Sequence, residues 1–169
     1  MIRMVGAVLV AFGAAWIGLG AAAELGKQVR RLEALSAGLE LLERELWERG
    51  SPLLQVMEEL SSRTAEPART LFARCARACT QLELEPFSDA WRRLVGELEK
   101  LTPEGRAALL PLGEVLGRYE ARGQREAIGQ ARSALERERA RAEGEKLRMG
   151  RVYQALGLSG GAFLVILLL

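Results

Sequence analysis

Charged side chains are missing from both ends of this chain. Met4 to Ala23 (MVGAVLVAFGAAWIGLGAAA) and Val152 to Leu169 (VYQALGLSGGAFLVILLL) carry none, whereas every Asp, Glu, Lys and Arg except Arg3 lies between Glu24 and Arg151. An apolar helix of about 20 residues covers a hydrocarbon core of roughly 30 Å. The pattern therefore predicts a transmembrane helix over residues 1–23 that continues inward, a helical bundle over 24–151, and a second transmembrane helix over 152–169.

No central stretch alternates like a strand; apolar positions recur with helical period. Leu25, Val29, Leu32, Leu35, Leu39, Leu42 and Leu46 step by four and three, an a/d stripe that carries the first helix to about Trp47. Gly50, Ser51 and Pro52 then read as a helix end, an N-cap and a first helical position. A helix with Leu53, Val56, Met57 and Leu60 follows, and then a turn over Ser61–Pro67. Past it, Leu71, Phe72, Cys75, Cys79 and Leu82 form the buried face of the next helix. Pro86 starts a helix with Phe87, Trp91, Leu94, Val95 and Leu98 inward, and Thr102-Pro103-Glu104 is an N-cap signature ahead of Leu109, Leu112, Val115, Leu116 and Tyr119. Gly123 falls near a turn or a kinked start. The last helix has a thin stripe of Ile128, Ala131 and Leu135 and is otherwise dense in charge as far as Arg151, which reads as a solvated stalk or as a helix lying against a partner. The expectation is an all-α fold of six helices, two long and four short, flanked by N- and C-terminal transmembrane segments.

Arg3, the apolar run and Ala21-x-Ala23 also resemble a cleaved signal peptide. The run exceeds the roughly 7–15 residues of an h-region, and helical periodicity crosses the cut site, so the segment is expected to be retained. Lys27, Arg30 and Arg31 follow the first span and Lys146, Arg148 and Arg151 precede the second, which places the central domain in the cytoplasm by the positive-inside rule. Ala14, Gly18 and Ala22, and Gly157 with Gly161, are small enough to let membrane helices approach closely.

The net charge of +2 falls to +1 for the central segment once Arg3 is subtracted, so nucleic acid is not an expected partner. Histidine is absent, which removes Ser-His and Cys-His nucleophiles and histidine metal sites. Cys75 and Cys79 have no further ligands beside them and read as reduced core residues. Gly157-Leu158-Ser159-Gly160-Gly161 lacks the lysine of a phosphate loop. Ser51 and Ser88 are explained as helix caps, and Glu45, Glu48, Glu58 and Glu59 have no evident base or metal partner. No enzyme, cofactor or metal site is expected. Of the three tryptophans, Trp16 lies within the first span, while Trp47 and Trp91 read as core.

The ordered set of the opening MIRMVGAVLVAFGAAWIGLG, the stripe ending in LERELWERGSPL, then LTPEG, LGRYEARGQREAIGQARSALERE and the closing RVYQALGLSGGAFLVILLL resembles the stage III sporulation protein AB family of endospore-forming bacteria, over essentially the whole chain. That family looks related to the general secretion pathway F platform proteins, which carry six-helix cytoplasmic domains. The resemblance implies a non-catalytic inner-membrane component of a secretion-like channel between mother cell and forespore. It would sit in the membrane around the forespore, with its central domain in the mother-cell cytoplasm. Implied partners are the membrane, the stage III sporulation AA ATPase, other channel-complex proteins and further copies of itself.

The matching stretch around Gly117–Gln124 reads either as a solvated turn or as a contact surface in which Arg118, Arg122 and Gln124 meet a partner, because arginine forks suit polar protein contacts; the charged strip from Arg132 to Arg148 competes for the same role. The competing expectations are an exported coiled-coil protein or a generic membrane-anchored scaffold.

Overall fold

The computed structural model describes the backbone of residues 2–48, 50–81, 85–116 and 121–168, and the side chains of residue 20 and of 23–48, 50–81, 85–116 and 122–152. Among these residues there is no strand. Two long helices, α1 (Ile2–Glu48) and α7 (Ala121–Leu168), enclose α2 (Leu53–Arg63), α3 (Ala68–Cys79), α4 (Phe87–Gly96), α5 (Pro103–Leu109) and a single turn, α6 (Leu112–Val115). The chain forms two compact units: residues 1–29 with 141–169, and residues 30–140.

Among the described residues no helix is long and apolar enough to cross a membrane. The two charge-free runs are helical, as the outer parts of α1 and α7. Their side chains, including Trp16 and the small residues at 14, 18, 22, 157 and 161, lie outside the described residues.

The unit of residues 30–140 is built on the leucine stripe. Leu32, Leu35, Leu39 and Leu42 are at most 1 % exposed and join one core with Val56, Met57 and Leu60 of α2, Leu71, Phe72 and Cys75 of α3, Trp91, Leu94 and Val95 of α4, and Ile128, Ala131 and Leu135 of α7. The stripe thus packs within its own chain. Each fully buried Leu or Phe contributes roughly 1.5–3 kcal/mol, so this face of α1 is one of the unit's substantial sources of cohesion.

Two glycines set how closely elements approach. A Cβ on Gly38 of α1 would lie 2.8 Å from Phe72 Cε2, and one on Gly113 of α6 would lie 2.7 Å from Trp91 Cδ1. Trp91 fills the core between α4 and α6, and its Nε1–H donates to the Leu109 carbonyl at 2.8 Å. That bond satisfies the one polar atom of a side chain with no exposed surface.

Local chemistry departs from expectation at three places. The single helix foreseen from Pro103 through Val115 is broken: α5 stops at Leu109, because Pro111 has no N–H to donate to the preceding turn. Gly113 N–H and Glu114 N–H then bond the carbonyls of Leu110 and Pro111, three residues back. Next, neither Ser51 nor Ser88 acts as a cap: Pro52 and Pro86 hold the N-cap positions of α2 and α4, with no side-chain cap bond. Thr102 does cap α5, its Oγ1 accepting from Gly105 N–H at 3.1 Å. Finally, Trp47 is 53 % exposed and not in the core. Gly50, at φ +58°, turns the chain sharply after α1 in a conformation that glycine adopts without strain.

Both cysteines are free, Cys75 buried and Cys79 half-buried. Burial pushes the Cys75 thiol up to about 12, with a smaller rise from Cys79 opposed by Arg74. Burial also raises the Cys79 thiol. Neither is a thiolate near neutrality, which agrees with their reading as small core hydrophobes.

Candidate functional site

The charged helix α7 lies antiparallel to α1 and is not a free solvated face. Arg139 Nη1 donates to Glu33 Oε1 at 3.1 Å, Arg132 Nη2 to Glu40 Oε2 at 2.8 Å and Arg132 Nη1 to Glu43 Oε2 at 3.2 Å. Arg125 Nε donates to the other Glu43 oxygen at 3.0 Å, and its guanidinium carbon stands 4.7 Å from the centre of the Trp47 ring. Seven-residue steps run up one helix (Glu33, Glu40, Trp47) and down the other (Arg139, Arg132, Arg125). This is the register of a two-stranded antiparallel seam, with charges flanking the buried Leu35, Leu39, Leu42, Ile128, Ala131 and Leu135. A single exposed pair is worth little. Here Glu43 holds two arginines while Arg132 and Arg139 are only 33 % and 30 % exposed, so the pairs act as a network that fixes register. The signal was present in the sequence as Arg125, Arg132 and Arg139 at heptad spacing, and a reading of the strip as charge alone passes over it.

A cleft of about 220 Å³ opens at the end of this seam, where α1 turns into α2 and α7 begins. Trp47, Leu46, Leu53 and Ile128 supply apolar walls, and Gln124 and Arg125 form part of the polar rim. Ligand pockets run to roughly 300–1,000 Å³, so this cleft is smaller than a usual small-molecule site. An exposed tryptophan held flat by an arginine is the composition of a protein-contact hot spot. The cleft lies at the opposite end of the unit from Arg30 and Ala140, where α1 and α7 leave it.

Of the contacts expected from sequence, Gln124 is half-buried and lines this cleft, and Arg122, two residues before it on α7, is exposed and is not part of the lining. Arg118 lies outside the described residues. Sequence reasoning missed Trp47 and Arg125: Trp47 closes the leucine stripe and so reads as core, although its heptad position is that of Glu33 and Glu40. Glu45 and Glu59, which looked partnerless, both accept from Arg63 Nη1, at 3.0 and 2.8 Å; the bond to Glu45 fastens the end of α2 to α1, and the bond to Glu59 lies within α2. Those bonds raise the Arg63 pKa, the one to Glu59 most. Among the described residues no group of His, Cys, Asp or Glu could hold a metal ion.

These residues define an all-α helical-bundle protein built on two long helices that run antiparallel along the seam, with a small cleft at one end of it. Residues 3–169 match the family described as stage III sporulation protein AB, and the chain belongs to that family. It is 27 % identical over 176 aligned positions to stage III sporulation protein AB of Bacillus subtilis (strain 168), with both chains covered in full. A solved structure of a stage III sporulation protein AB shares its fold, with a TM-score of 0.64 and 24 % identity over 72 % of this chain and 98 % of that one.

Proposed function

We propose that the protein is a non-catalytic membrane platform in a secretion-like channel between mother cell and forespore, coupling a cytoplasmic ATPase, the stage III sporulation AA protein, to the membrane channel. Its two ends would span the membrane around the forespore, with the bundle in the mother-cell cytoplasm. The observation that carries this reading is the seam itself. The helices that continue into the charge-free runs are the same two that Arg125, Arg132 and Arg139 clamp together through Glu33, Glu40 and Glu43. Contact at the Trp47 cleft would bear directly on both helices where the seam joins them. Gln124, which lines that cleft, and Arg118 and Arg122 before it in the chain would meet the ATPase, with other channel proteins or further copies of the chain around them.

Co-purification of the full chain with the AA ATPase from membranes tests the coupling. The natural chain should retain the ATPase, and a variant with Arg118→Ala, Arg122→Ala and Gln124→Ala should retain much less while keeping its helical circular dichroism. Full retention by that variant would reject the assigned surface, and no retention by the natural chain would reject the coupling. Protease access in sealed vesicles tests topology separately: digestion of the bundle from the cytoplasmic face alone is expected.

A further inference from the structure

Five large apolar side chains stand exposed among the described residues, and three of them crowd into one short stretch of α7: Leu147 at 66 %, Met149 at 38 % and Val152 at 51 %. Every residue from Gly144 to Val152 is exposed. Lys146, Arg148 and Arg151 alternate with the apolar residues and make no ion pair among the described residues. Against the one carboxylate of Glu145, they leave residues 144–152 with a net charge of +2.

At 3.6 residues per turn, these apolar and cationic groups spread around the whole helix circumference. A helix packed on protein gathers its apolar groups on one side, and this stretch does not. A helix standing across a lipid headgroup layer meets lipid on all sides. There the apolar side chains face acyl chains, and the long cationic stems reach outward to phosphate. The dimensions agree: five steps from Lys146 to Arg151 rise about 7.5 Å, and each headgroup layer is roughly 5–8 Å deep. The uncharged run that begins at Val152 continues directly from this stretch.

We propose that Lys146, Arg148 and Arg151 form a collar that binds the phosphates of anionic phospholipid headgroups. The collar rests on the membrane reading above and adds to it a chemical preference for the lipid. Arginine forks bind phosphate through paired N–H donors, and Lys146 adds a compact charge. Each cation close to an anionic surface strengthens attachment about fivefold, so the three together give on the order of 10²-fold.

The test uses the full chain in detergent, titrated with phosphatidylglycerol or phosphatidylcholine, with retained lipid counted by native mass spectrometry. The natural chain should hold phosphatidylglycerol in preference. The Lys146→Gln, Arg148→Gln, Arg151→Gln variant should lose about 10²-fold of that preference. Glutamine is close to lysine and arginine in helix propensity, so the variant should still enter phosphatidylcholine nanodiscs. A control with Arg77→Gln and Arg106→Gln should keep the preference. Equal retention of both lipids by the natural chain, or an unchanged preference in the collar variant, would overturn the proposal. Competition by free glycerol phosphate at matched concentration would also overturn it, since the site would then take soluble phosphate. A natural chain that fails to enter phosphatidylcholine nanodiscs overturns the membrane reading and the collar together, whereas loss of ATPase retention alone leaves the collar standing.

Discussion

The guanidinium of Arg125 stacks 4.7 Å above the Trp47 ring while its Nε holds Glu43, so one α7 side chain grips α1 through both an aromatic face and a carboxylate. An exposed cation–π pair contributes about 0.5–1 kcal/mol. Trp47→Ala is therefore expected to lower stability by about that amount in urea denaturation. Trp91→Ala, which empties a fully buried site and orphans a hydrogen bond, should cost about 3–5 kcal/mol. Similar losses for the two would contradict the placement of Trp47 at the surface. The same contrast should appear in fluorescence, with acrylamide quenching Trp47 far more than Trp91.

Alanine at either close-approach glycine should destabilise despite alanine's better helix propensity. At Gly113 the new Cβ would meet the Trp91 ring at 2.7 Å, and at Gly38 the Phe72 ring at 2.8 Å. Neither ring can yield inside a filled core, and overpacking of this kind costs about 1–3 kcal/mol. Gly129→Ala, with open space around it, is the matched comparison and should be neutral or stabilising. Thermal unfolding of the three variants checks this; equal melting temperatures would refute the close packing.

The charge seam predicts a rescue. Arg139→Glu should destabilise by placing like charges at Glu33 and Glu136, and Glu33→Arg added to it should restore part of the loss. A double-mutant cycle is expected to give about 0.3–1 kcal/mol of coupling, shrinking in high salt. Zero coupling at low salt would mean that the pair does not form in solution.

The thiols should differ in reactivity. Cys79 is half-buried and Cys75 is buried with its thiol pushed up to about 12. An aromatic disulfide reagent at neutral pH should modify Cys79 slowly in the native protein and Cys75 only after denaturation. Equal, fast labelling of both would refute the core position of Cys75.

Alkaline pH acts through the same residue. The folded-state pKa of Cys75 lies above the ordinary thiol value of 9.0. The unfolded chain therefore loses this proton first, and Cys75's contribution to stability is complete below pH 9 and declines from there toward about 12. Cys75→Ala should flatten that decline in urea midpoints measured across the range. An unchanged slope would assign the alkaline loss to other groups.

Much of the fold was legible in the chain because local chemistry sets it. The leucine stripe, the prolines at 52, 67, 86 and 103 and the Thr102 cap act within a turn or two, so the helices and most of the inward faces follow from sequence alone. The absence of histidine likewise removes its chemistry wherever the chain folds. Tertiary structure decided what depends on partners far away in sequence. Trp47 follows the last leucine of the stripe, yet it takes the flanking position of Glu33 and Glu40, stays 53 % exposed at the end of the seam, and meets Arg125 there. Arg132 and Arg139 look solvated along α7 until α1 brings Glu40 and Glu33 opposite them. The contact cleft exists only where the end of α1, the start of α2 and the first turns of α7 converge, and that convergence is a property of packing that neighbouring residues alone do not encode.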